Sequence, residues 1–189
     1  MKLNLGCGYK KRDGFHNVDL FPDCTPDEVV DLERFPWPWP DDSVDEVLMS
    51  HVLEHLGAET EVYFNIFREL YRICQHDAVV TIVVPHPRHD TFLADPTHVR
   101  PITVDGLSMF SRRQCEIWIR DGMANSPIAL MVGVDFEITQ TTIVLDRAWK
   151  QRYDAGEISN ADMIAAMRNY SNVILETKIV MRAVKQVGS

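Results

Sequence analysis

Basic residues are scarce in this chain: 19 Lys and Arg stand against 28 Asp and Glu, a formal net charge of −9. Nucleic-acid binding draws on clustered Lys and Arg to neutralise phosphates. The one compact basic run is Lys10-Lys11-Arg12, whose simplest role is a solvated turn. A nucleic-acid partner is therefore not expected. Paired cysteines are also lacking. Cys7, Cys24, Cys74 and Cys115 form no CxxC pair and no zinc-like spacing, so reduced thiols in a cytoplasmic protein are expected. No apolar run nears the roughly 20 residues that span a bilayer. Lys2 leads to Asn4 and glycines rather than to a signal-peptide core. Repeats, low-complexity segments and an internal domain boundary are absent. What is present, 189 residues with 46% hydrophobic and 25% charged, reads as one globular domain spanning 1–189.

The most informative stretch is the first nineteen residues. Leu3-Asn4-Leu5 reads as a strand, Gly6-Cys7-Gly8 as a tight turn, and Asn17-Val18-Asp19 as a second strand ending in an acid. Glycines let backbone approach a ligand, and an acid at a strand end can accept from a ribose. With the first strand so near Met1, no domain is expected ahead of this site. Strand and helix signals then alternate, which predicts an α/β fold with a mainly parallel sheet. Strands are expected at Glu28–Asp31, Val44–Met49, Ala78–Val84, Phe136–Leu145 and Val173–Val184. Helices are expected at Ala58–Cys74, at Ser111–Asp121 with Ser111 as cap, and at Arg147–Tyr170 with a break near Gly156. The alternating prolines of 35–40 demand an extended, aromatic-packed loop. Residues 86–106 read as a long polar loop, a length that is often functional.

These pieces resemble the class I S-adenosylmethionine-dependent methyltransferases, especially the small "type 11" group. The resemblance is carried by Leu3–Gly8, Asn17–Asp19, Val30–Leu32, Trp39–Asp45 and Ser50–Leu56, in that order. It implies a Rossmann-like, seven-stranded, mostly parallel sheet with one antiparallel strand and helices on both faces. It also implies S-adenosyl-L-methionine as cofactor. Gly6 and Gly8 would lie against its methionine part, Asp19 on the ribose, and Asp31 and Leu32 at the adenine. Ser50 and His51 would end the fourth strand beside the methyl group. The chain departs from the pattern with Asn4 where an acid is usual and Lys10 where a third glycine is common. Gly6 and Asp19 are too close to enclose a helix, so the first crossover must be a short turn. That spacing also disfavours a nicotinamide dehydrogenase.

Histidines form a second constellation. His51, Glu54 and His55 make an HxxEH pattern whose side chains would converge on one face of a helix. Related segments bind a divalent metal in the small-RNA terminal 2′-O-methyltransferases and the ubiquinone-pathway O-methyltransferases. By that analogy His51, Glu54, His55 and His98 would be ligands, while packing and capping are the alternative role of Glu54 and His55. Methyl transfer to a hydroxyl needs a base, and His98 oriented by Asp95 is the first candidate, His86 the second. The segments 86–128 and 147–170 are expected to supply the lid and acceptor contacts. Within them Arg88 and Arg100 are candidates to clamp an anion, and Met163, Ala166, Met167 and Tyr170 to line a pocket. The expected function is methylation of a small-molecule or sugar hydroxyl. The alternatives are a cofactor-binding regulatory or partner protein and a metal-dependent enzyme acting on RNA ends.

Overall fold

The computed structural model describes residues 1–185. Seven strands form one sheet: β1 (Lys2–Leu5), β2 (His16–Asp19), β3 (Glu28–Val29), β4 (Val44–Ser50), β5 (Cys74–Pro85), β6 (Phe136–Leu145) and β7 (Ile174–Ala183). Their spatial order is β3-β2-β1-β4-β5-β7-β6, parallel throughout except that β7 runs against both neighbours. This is the sheet expected of a doubly wound α/β domain. The chain order reverses direction at β1 and β4, so the carboxyl ends of β1, β2 and β4 open onto one crevice, where such folds bind ligands.

The register builds the core. Leu3 pairs with Val47 and Leu5 with Met49; these pair in turn with Val80 and Ile82, and beyond them with Met181 and Ile179. All eight are fully buried, forming an apolar stripe across four strands. Helix α1 (Thr60–Ile73) lays Ile66, Phe67, Leu70 and Ile73 onto it, the i, i+3/i+4 face its sequence promises. The rest of the helical cover is α2 (Asp90–Leu93), α3 (Val104–Ser108), α4 (Arg112–Arg120), α5 (Ile128–Val132), α6 (Arg147–Asp154) and α7 (Asn160–Asn169). Ser111 caps α4 by accepting from the Gln114 N–H. Gly156, at φ +74°, stands in the break between α6 and α7. No helix among the described residues is long and apolar enough to cross a membrane.

Three expectations change. Strand β3 stops at Val29, because the Asp31 carboxylate turns back to accept from the Glu33 N–H and Arg34 Nε. The 86–106 segment is not structureless: His89 and Thr103 cap the short helices α2 and α3. Most consequential, His51–His55 is not an α-helix. His51 takes φ +56°, and Leu53–His55 is a single 3-10 turn, so the i, i+4 argument for a shared helical face fails.

The short first crossover holds as expected: no helix lies between β1 and β2. A polar network stands in its place. Buried Asn4 donates to Asn17 Oδ1 at 2.9 Å and to the Lys10 carbonyl at 3.3 Å. The Asn17 side chain and N–H both donate to Asp27. Asn4 thereby pins the loop.

Candidate active site

The Gly6–Gly8 turn leaves β1 in a conformation that excludes side chains. Gly6 has φ +65°, and a Cβ there would fall 2.4 Å from Val52 Cγ2. Gly8 has φ +50° with open space in front of it. Its N–H donates to Asp19 Oδ2 at 2.7 Å, while Asp19 Oδ1 accepts from the Phe21 N–H at 3.0 Å. One carboxylate thus clasps the turns after β1 and β2, and each oxygen keeps a further lone pair for a ligand hydroxyl.

Beside this clasp lies a cavity of about 590 Å³ lined by Gly6, Gly8, Asp19, Asp31, Leu32 and His51. The volume lies within the range of small-molecule sites. Every cofactor residue expected from the sequence is therefore on its wall except Ser50, which is exposed at the end of β4 and is not part of the lining. The sequence reading missed Tyr9, Leu20, Phe21 and Cys24, which also line it. Tyr9, Leu20 and Phe21 are apolar yet well exposed, as a short crossover leaves the rim open. The donor set suits an adenosylmethionine: bare backbone at Gly8, an acid for the ribose, and Val30, Leu20 and Leu32 for a flat base.

A second chamber, about 400 Å³, adjoins the first and shares His51 and His55 with it. Its other walls are Glu54, Pro85, Thr91, Asp95, His98, Leu175 and Glu176. His51 spans the boundary, with Nε2 3.2 Å from Glu176 Oε2 and Nδ1 3.5 Å from Glu54 Oε1. Glu54 first, and then Glu176, hold its pKa above the usual histidine range despite half-burial. Glu176 was not anticipated, although it is the lone acid of its strand. The His55 and His98 rings meet edge-to-face at 4.6 Å, and Phe92 stacks on His98.

Other expected roles are not matched by geometry. Asp95 Oδ2 is 3.9 Å from His98 Nε2, too far to orient it. Asp95 instead accepts from the Thr97 hydroxyl, and Thr97 contacts His55. His86 lines a separate cavity of about 310 Å³, and burial lowers its pKa. Arg88 donates to the carbonyls of Met167 and Arg168 at the end of α7. Arg100 donates to the Gly57 carbonyl and lies over the Tyr63 ring. Neither is free to clamp an anion. Met163 and Ala166 are buried with Ile158 and Val173 in a small core of their own, and exposed Tyr170 stacks on Trp149, so this stripe packs the insert rather than lining a pocket.

No protein-family model matches the sequence, and no curated sequence matches it either. The likeness is one of structure. A SAM-dependent methyltransferase from Archaeoglobus fulgidus superposes with a TM-score of 0.64 at 19% identity, covering 96% of this chain and 85% of that one. A SAM-dependent methyltransferase from Methanosarcina mazei gives 0.57 at 12%, covering 98% and 92%. The [4+2]-cyclase SpnF gives 0.54 at 15%, covering 98% and 74%. The chain has the Rossmann-like fold of the SAM-dependent methyltransferases.

Proposed function

We propose that the protein is an S-adenosylmethionine-dependent methyltransferase that acts on a hydroxyl of a small molecule or sugar. One observation carries this reading: a nucleoside-type cavity built on Gly6, Gly8 and Asp19 meets a chamber of titratable side chains at His51 and His55. Donor and acceptor would face one another across that boundary. The protein supplies alignment for in-line displacement. The methyl carbon's bond to the sulfonium breaks as its bond to the acceptor oxygen forms, the sulfur is left as a neutral thioether, and the hydroxyl proton goes to a base. Without a bound ion His98 is the base; its Nδ1 is held 2.7 Å from the Phe92 carbonyl, which leaves Nε2 to take the proton. Segments 86–103 and 147–170 serve as cover, tied to each other through Arg88. Four free cysteines fit a reducing, cytoplasmic setting.

The second reading is a cofactor-binding protein of this fold that does not transfer methyl. The likeness to a cyclase, at a TM-score of 0.54 against 0.57 for one of the two methyltransferases and 0.64 for the other, favours keeping it. An RNA-end acceptor is disfavoured by the net charge of −9.

Calorimetry with S-adenosylmethionine and S-adenosylhomocysteine tests the donor site. Both should bind, and Asp19→Ala should weaken each by about 100-fold, the loss of charge-assisted hydrogen bonds. Absence of binding to the unaltered protein overturns the reading. An acceptor screen that detects S-adenosylhomocysteine release separates the two readings. On the acceptor so found, His98→Ala should keep cofactor affinity and lose about 10²–10⁴-fold in turnover.

A further inference from the structure

Glu54 is fully buried, yet neither of its carboxylate oxygens has a hydrogen-bond partner. Leaving both oxygens of a buried carboxyl group without a partner is costly, so the geometry points to a ligand at Glu54. The imidazole beside it is that of His51, whose Nδ1 is 3.5 Å from Glu54 Oε1 and whose Nε2 is 3.2 Å from Glu176 Oε2. Two carboxylates thus share one imidazole.

The neighbouring histidines are set to join Glu54 as ligands. The Thr97 hydroxyl gives its single proton to Asp95 Oδ1 at 2.6 Å. Towards His55 Nδ1, 2.9 Å away, that oxygen can only accept. His55 therefore carries its proton on Nδ1 and bares a lone pair on Nε2. His98 Nδ1 stands 2.7 Å from the Phe92 carbonyl, an acceptor only, so His98 also bares Nε2. Fixing a ring's far nitrogen with a carbonyl or a carboxylate-backed group is how proteins orient metal-binding histidines. One donor atom from each of Glu54, His55 and His98 lies within 4.8 Å of the others. Ligand atoms about 2.1 Å from an ion stand roughly 3–4 Å apart, so small side-chain rotations close the set.

We propose that Glu54, His55 and His98 bind one divalent first-row transition-metal ion in the acceptor chamber. Two imidazoles and one carboxylate suit manganese, iron, cobalt, nickel or zinc, not magnesium or calcium. His51 is outside the set, in contrast to the four-ligand expectation from sequence. Three protein ligands leave positions open towards the chamber for an acceptor oxygen. The use of the ion rests on the methyl-transfer reading, but its binding does not. With the ion in place His98 holds metal rather than a proton, and the acidification of an acceptor hydroxyl falls to the ion.

The test uses the full chain stripped with chelator, Co²⁺ as probe, and visible absorption with calorimetry as readouts. One Co²⁺ per chain should bind without any cofactor. Glu54→Gln, His55→Ala and His98→Ala should each weaken it by at least about 100-fold, and Thr97→Val by about 10–100-fold through the loss of the His55 tautomer. His76→Ala, a histidine paired with Asp77 far from the chamber, should change nothing. Circular dichroism and thermal unfolding of the same samples report that each variant is folded, and S-adenosylhomocysteine binding is measured on the unaltered protein. Should Glu54→Gln fail to fold, the two histidine variants decide. No stoichiometric Co²⁺ binding, or binding that survives both histidine substitutions, overturns the site. Loss of cofactor binding with Co²⁺ binding intact overturns only the methyl-transfer reading.

Discussion

At the scale of single residues, Gly6 and Gly8 look alike in sequence and differ in consequence. Both have positive φ, where a Cβ costs about 1–2 kcal/mol. At Gly6 the Cβ also strikes buried Val52, and overpacking adds about 1–3 kcal/mol. Gly6→Ala should therefore lower unfolding stability by about 2–5 kcal/mol in urea titration. Gly8→Ala meets no atom of the protein and should cost only the backbone term, yet its methyl group points into space where a ligand would lie. Calorimetry should show weakened S-adenosylhomocysteine binding on a protein that is still folded. The glycines and Asp19 were legible because they lie close along the chain, and strand geometry makes their spacing meaningful. Glu176 was not legible. It comes within reach of His51 only because β7 inserts beside β5, a pairing between residues 125 positions apart.

At the scale of elements, the segment after β3 shows how a loop without regular structure is held. Trp37 and Trp39 pack edge-to-face, buried, and Arg72 of α1 donates to both their carbonyls and to Glu69 and Asp41. Glu69 in turn accepts from the Trp37 N–H at 2.6 Å. The Arg72 hydrogen bond, and then that backbone bond, hold the Glu69 carboxyl below its ordinary pKa. A carboxylate depressed on folding contributes stability that is fully present above its unfolded value near 4.5 and is lost as pH falls through the lower folded value. Arg72→Met should cost about 2–4 kcal/mol at pH 7 and flatten the acid limb of the stability–pH curve below about pH 4.5. Urea unfolding at several pH values reads both. The proline and tryptophan spacing announced this loop, whereas Arg72 looked like one more charge on a helix. His51–His55 failed in the opposite sense: its spacing fits a helix, but the positive φ at His51 and the close approach of Val52 to Gly6 turn the chain into a 3-10 turn.

For the whole molecule, the crevice where the sheet reverses order is bounded by loops rather than by a crossover helix, so a bound nucleoside would complete it. Ligand that binds only the folded state at 100 times its Kd adds about 2.7 kcal/mol. For a chain of this size that is a rise of roughly 5–10 °C in thermal midpoint. Saturating S-adenosylhomocysteine should give that shift in scanning calorimetry, and Asp19→Ala should abolish it. The sequence by itself determined the alternation of strands and helices, the helix-free first crossover and the pairing of the Gly6–Gly8 turn with an acid at the end of the next strand. All of these rest on near neighbours and on side-chain periodicity. Only the tertiary structure decided which titratable groups meet. Glu54 is stranded in the interior by the 3-10 turn, His98 is brought to it from 44 positions along the chain by the 86–103 loop, and Glu176 arrives on the reversed strand. Contacts between distant segments depend on strand order and loop paths, and no local spacing encodes those.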